Sequence, residues 1–124
     1  MTNQILLYTG AAFVAFWGIA HLFATKNVVA GFGDISKDNK NIITMEWIIE
    51  GVAMIFIGVL VTTVTTIDHT NQVSTVVYWV TFGGLNALSA VALFTGFKVN
   101  FLPFKLCPII LTSSSILVLL GILL

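Results

Sequence analysis

The sequence has no arginine, one cysteine, two prolines and very little charge of either sign. Each scarcity excludes something. Charged residues occupy 8% of the 124 positions, against roughly 25% in a soluble domain. Five lysines balance five acids, so the formal net charge is zero. So little charge cannot dress a water-facing surface or grip a phosphate backbone. It excludes a soluble enzyme, a nucleic-acid binder and a disordered chain. The single thiol, Cys107, excludes an intrachain disulfide and a Cys-x-x-Cys redox pair. A phosphate-cradling glycine loop and a Gly-x-Ser-x-Gly elbow are also missing. What remains is apolar: 58% of residues are hydrophobic, ten of them Phe, and the mean hydropathy is +1.06.

Crossing a bilayer as a helix takes about 20 apolar residues. Four stretches are long enough: about 5–25, 43–67, 75–97 and 106–124. Barrel strands would alternate apolar with polar residues. Ile109-Ile110-Leu111 and Ile116-Leu117-Val118-Leu119-Leu120 do not alternate, which favours helices. Met1-Thr2-Asn3-Gln4 has no positive charge, so the first span reads as a retained helix and not a signal peptide. The fold expected is an all-α, integral membrane four-helix antiparallel bundle forming one domain, with the lipid bilayer as its main partner. A bundle this small has little interior of its own, so a homo-oligomer is also expected.

Lysine placement sets the expected orientation. Lys26, Lys37 and Lys40 lie in the linker 26–42, and Lys98 and Lys105 in the linker 98–105. The termini and the linker 68–74 carry none. The positive-inside rule puts both lysine-bearing linkers in the cytoplasm and both termini outside an inner or plasma membrane.

Ionisable groups inside a span are expensive and therefore informative. Only His21, Glu46 and Glu50 qualify. Glu46 and Glu50 are four residues apart, which stacks them on one helix face. At about 1.5 Å per residue, Glu46 lies roughly 5 Å and Glu50 roughly 10 Å inside the cytoplasmic end of the second span. His21 approaches from the same end of the first span. Glu46 suits an interfacial place near a helix N-terminus. Glu50 is too deep for that. It either clamps His21 structurally or contacts a ligand or proton, and the sequence leaves both open. Asn86 and the run Thr112-Ser113-Ser114-Ser115 add neutral polar groups at similar or greater depth.

Turned inward, these side chains predict a polar pocket in the cytoplasmic half. The expected ligand-binding set is Trp17, His21, Glu46, Glu50, Asn86, Ser113 and Ser114. The ligand expected is a small apolar or amphipathic molecule, bound or carried, with proton coupling an option. Two other readings stay open: a membrane enzyme using Glu50 and His21 for acid–base work on a lipid-like substrate, and an accessory subunit with no ligand. No metal is expected, because two acids and one His lack the Glu-x-x-His pair of carboxylate-bridged sites. His69 belongs to the opposite side, which argues against a haem held by two histidines. Trp47, Trp79, Tyr8 and Tyr78 read as interfacial anchors. Ala11, Ala15, Gly51, Gly58, Gly83, Ala87 and Ala90 read as close-packing positions.

Gly18-Ile19-Ala20-His21-Leu22-Phe23, followed by the Gly31-Phe32-Gly33 break, resembles the first helix and loop of DoxX-like bacterial membrane proteins. The resemblance implies a four-helix bundle. It also implies an association with quinone or thiol redox systems, as in some members. The absence of a Cys pair speaks against the thiol role; the residues themselves call for no cofactor, and quinone is the one that the resemblance allows.

Overall fold

The computed structural model describes all 124 residues. It contains four α-helices and no strands: α1 (Thr2–Gly31), α2 (Lys37–Asp68), α3 (Gln72–Thr95) and α4 (Leu102–Leu123). A single 3₁₀ turn, Gly96–Lys98, follows α3. All four helices are long and apolar enough to cross a membrane.

The first two helices run well past the apolar windows. Most of the 26–42 segment, expected as a linker, is helical, and only residues 32–36 interrupt it. Hydropathy marks the stretch that suits lipid; the hydrogen-bond ladder stops only where the backbone forces it to. That stop is Gly33, with φ of 71°, a left-handed conformation that glycine adopts without steric cost. Ser36 then caps α2 by accepting a bond from the Asn39 amide at 3.2 Å. Asn71 caps α3 through the Val73 amide at 2.8 Å. Pro103 sits in the first turn of α4, where its missing N–H costs nothing.

Short connections make successive helices antiparallel, and α4 closes the bundle against α1. The α1–α2 seam is the tightest. Gly18 and Gly51 face each other, and Gly58 lies against Ala11 and Ala15. Ala11, Ala15, Gly51 and Gly58 are the small residues that the sequence marked for spans one and two; Gly18 was not among them. Gly83 has open space where a Cβ would be, and Ala87 and Ala90 are exposed. Gly83, Ala87 and Ala90 therefore pack against no other helix of this chain.

Around an apolar core, the bundle exposes large aromatics and buries hydroxyls to a degree that a water-soluble bundle would not. Phe23, Phe94 and Phe16 are 85%, 70% and 68% exposed, while Thr65, Ser74, Thr81, Ser89, Ser114 and Ser115 are buried. Those buried hydroxyls join helices. Ser114 donates to the Gly10 carbonyl at 2.6 Å. Ser89 donates to the Pro108 carbonyl at 3.0 Å and shares a hydrogen bond with Thr112 at 2.7 Å. Thr65 and Tyr78 share one at 2.9 Å. Tyr78 is thus an interior link between α2 and α3 rather than a surface anchor. Where no water competes, hydroxyl bonds and close backbone approach hold helices together alongside the packing of apolar side chains.

Of the neighbouring helix pairs, α2 and α3 make the least contact. They meet beside their connecting turn, where Ser74 donates to the Asp68 carbonyl at 2.6 Å. Towards the lysine-bearing end, the seam between them opens.

Candidate functional site

The open seam is a cavity of about 430 Å³, within the usual range for small-molecule sites. Ten of its fifteen lining residues are hydrophobic, so its walls suit a hydrocarbon body. On α3 it is lined by Leu88, Val91, Ala92 and Thr95, a stripe at helical spacing. Its chemistry is concentrated at one place, where His21, Glu50 and Cys107 meet.

His21 is the fixed point. It is only 4% exposed, and three contacts hold its ring. Nδ1 lies 3.0 Å from the Trp17 carbonyl. A carbonyl only accepts, so Nδ1 carries the hydrogen and Nε2 is the position left for other partners. The ring stacks on Trp47 with centroids 4.4 Å apart and planes 22° from parallel. Trp17 closes its other side edge-on at 5.3 Å. Trp47 is itself locked: its indole N–H donates to the His21 carbonyl at 2.7 Å, and its ring packs on Phe104. Trp47 is therefore a buried support of the site, where the sequence suggested an interfacial anchor. A large aromatic beside lysines fits either role, and only the packing of α1 against α2 decides between them.

Glu50 faces this imidazole across the cavity mouth. Its Oε1 is 3.8 Å from His21 Nε2, and its side chain is half exposed. That distance exceeds a hydrogen bond but permits an ion pair. The pairing expected from depth alone is thus present in three dimensions. Cys107, on α4, is the third member. Its sulfur, a ring nitrogen of His21 and a Glu50 oxygen all lie within 4.8 Å of one another.

The remaining expected residues are placed elsewhere. Glu46 is exposed one turn nearer the lysine end and does not line the cavity. Asn86 stands two residues before Leu88, about 200° around α3 at 3.6 residues per turn. It faces away from the cavity and bonds Ser115 and the Phe82 carbonyl. Ser113 bonds back to the Ile109 carbonyl at 2.8 Å. Ser114 turns to α1, as described above. Trp17 borders the site through His21 but is not part of the cavity lining. Asn86 and Ser114 therefore act as interhelix ties, while Ser113 is satisfied within its own helix. Sequence reasoning passed over Cys107 as a site residue. The available signal was its depth, level with His21 and Glu50, in a Phe104–Cys107–Leu111 stripe at helical spacing.

Comparison with known proteins gives no match to any protein-family model, curated protein or solved structure.

Proposed function

We propose that this chain is a multi-pass membrane protein that binds a small amphipathic molecule. The molecule's apolar body lies in the seam between α2 and α3, and the His21–Glu50 pair holds its polar end. One observation carries the reading: a half-exposed carboxylate stands at the mouth of an otherwise apolar cavity, opposite an imidazole that its neighbours hold rigid. Glu50 only accepts hydrogen bonds when ionised, and Nε2 of neutral His21 also accepts. A head group that donates hydrogen bonds or carries positive charge complements both. The seam lies between two helices that make little contact with each other, and a lipid-soluble molecule would enter between them. The same four-helix form is what the DoxX-like resemblance implies.

The test uses bromine-tagged dodecylamine as a quencher of tryptophan fluorescence, with the chain in nanodiscs and a chelator present. Trp17 and Trp47 report on the site. Saturable quenching is expected for the wild type, and dodecyl sulfate should not compete with it. Glu50→Gln and Ala92→Phe should each weaken binding about tenfold or more, the effect of losing about 1.4 kcal/mol. Equal saturable quenching in all three proteins would overturn the reading.

In the proposed orientation, the lysine-bearing end of the bundle faces the cytoplasm and both termini lie outside. All five lysines sit at that end, and the bias is what the positive-inside rule acts on. Alkaline phosphatase fused after Leu124 should be active and a fluorescent protein fused there dark. The reverse pattern would invert the assignment.

A further inference from the structure

The three donors at the site come from three helices, α1, α2 and α4, and they are a nitrogen, a carboxylate oxygen and a sulfur. We propose that His21 Nε2, a Glu50 carboxylate oxygen and Cys107 Sγ form a zinc-type metal site whose fourth position opens into the cavity. Four observations converge on it.

The first is distance. Zinc bonds of about 2.0–2.3 Å to these donors in tetrahedral geometry set donor–donor separations of about 3.3–3.6 Å. The Nε2–Oε1 separation is 3.8 Å and every pair lies within 4.8 Å. The half-exposed Glu50 side chain is free to rotate toward the other two donors, and the His21–Cys107 separation is left to the χ1 rotamer of Cys107.

The second is the support of the imidazole. A metal-binding histidine characteristically donates its other ring N–H to a carbonyl or carboxylate, which fixes the tautomer and aims the ligating nitrogen. His21 does this through Nδ1 and the Trp17 carbonyl.

The third is an orphan. The Trp17 indole N–H is buried with no hydrogen-bond partner, although its side chain lies against Cys107. A thiol is a poor acceptor and a metal-bound thiolate a good one. An indole N–H beside this sulfur is placed to donate to a metal-bound thiolate.

The fourth is charge. One carboxylate and one thiolate neutralise a divalent cation, so the complete site has no net charge inside an apolar bundle. Binding releases the Cys107 thiol proton to solvent. The donor set selects among metals. Magnesium and calcium prefer oxygen alone, whereas nitrogen with thiolate and carboxylate suits zinc. Three protein ligands with an open position is the arrangement of zinc sites that take up a further molecule.

The site shares its cavity with the amphipathic ligand proposed above, yet the zinc measurement, in an uncharged detergent, contains no amine and the quenching measurement contains no free metal. Either can fail alone. Untagged protein in detergent, stripped with chelator, is titrated with Co²⁺ and Zn²⁺. One ion per chain is expected, and Co²⁺ should give a thiolate-to-metal absorption band. His21→Ala, Glu50→Gln and Cys107→Ser should each weaken Zn²⁺ binding about 100-fold or more, at or beyond what loss of a supporting residue alone costs a metal site. Glu46→Gln, outside the cavity, should bind as the wild type does. A Co²⁺ complex without the thiolate band, or undiminished affinity in the three variants, would overturn the site. If a variant does not fold, the wild type still decides: Zn²⁺ should slow maleimide labelling of Cys107, and unchanged labelling would overturn the proposal.

Discussion

Trp47→Ala is expected to destabilise the protein by about 3–5 kcal/mol, the range for truncating a buried large aromatic. Trp47 is 8% exposed and fills the space between His21 and Phe104. Its loss opens a cavity and frees one face of the imidazole at once. Trp47→Phe keeps most of the ring contact and loses the bond to the His21 carbonyl, so it should cost only about 1 kcal/mol. The carbonyl keeps another partner, the Thr25 hydroxyl at 2.9 Å. Denaturant unfolding in mixed micelles measures both variants. Dodecylamine quenching of the remaining Trp17 should be weakened in Trp47→Ala, because the imidazole is no longer aimed. Equal stabilities for the Ala and Phe variants would show that Trp47 does not support the site.

The second large effect is at the α1–α2 seam. Gly18→Val should destabilise by about 3 kcal/mol or more, the upper range for forced overpacking. A Cβ at Gly18 would lie 2.5 Å from the Gly51 carbonyl oxygen and 2.9 Å from the Ile55 amide nitrogen. Both are backbone atoms of the facing helix, so no side-chain rotation relieves the overlap, and α1 must move away from α2. Because His21 lies one turn from Gly18 and Glu50 is adjacent to Gly51, the same displacement separates the pair. Gly83→Val is the matched control. Nothing lies within 4 Å of a Cβ there, and stability should change by less than about 0.5 kcal/mol, as at other unpacked surface positions. Thermal unfolding of the two variants side by side checks the contrast. A Gly18→Val protein as stable as Gly83→Val would mean that the helices are not this close.

The two substitutions bear on how the site is built. His21 and Glu50 belong to different helices, and neither side chain reaches the other unless the backbones approach at Gly18 and Gly51. The glycines thus set the site's geometry through close packing, and Trp47 then fixes the ring orientation. Cys107 reaches the site from a third direction, on the first part of α4. A change at any of these positions acts on the same point in the cavity.

Part of this was legible in the amino-acid sequence, and the reason is solvation. Backbone groups in an apolar surrounding must bond internally, so long apolar runs with few charges dictate helices, and their number follows from counting. The depth of an ionisable residue follows from helical rise, which is why the His21–Glu50 pairing was readable from position alone. The four helices were determined locally, and so was the matching depth of His21 and Glu50; their contact needed the close approach of α1 and α2. Rotation about each helix axis was not determined locally. Asn86 and Ser113 had the right depth and the wrong face, and a helix that is apolar nearly all round carries no stripe to reveal its inward side. Which face turns inward depended on where glycines and serines of neighbouring helices let backbones meet. Only that tertiary packing turned Tyr78 and Trp47 into interior residues, opened the α2–α3 seam, and brought the sulfur of α4 to the imidazole of α1.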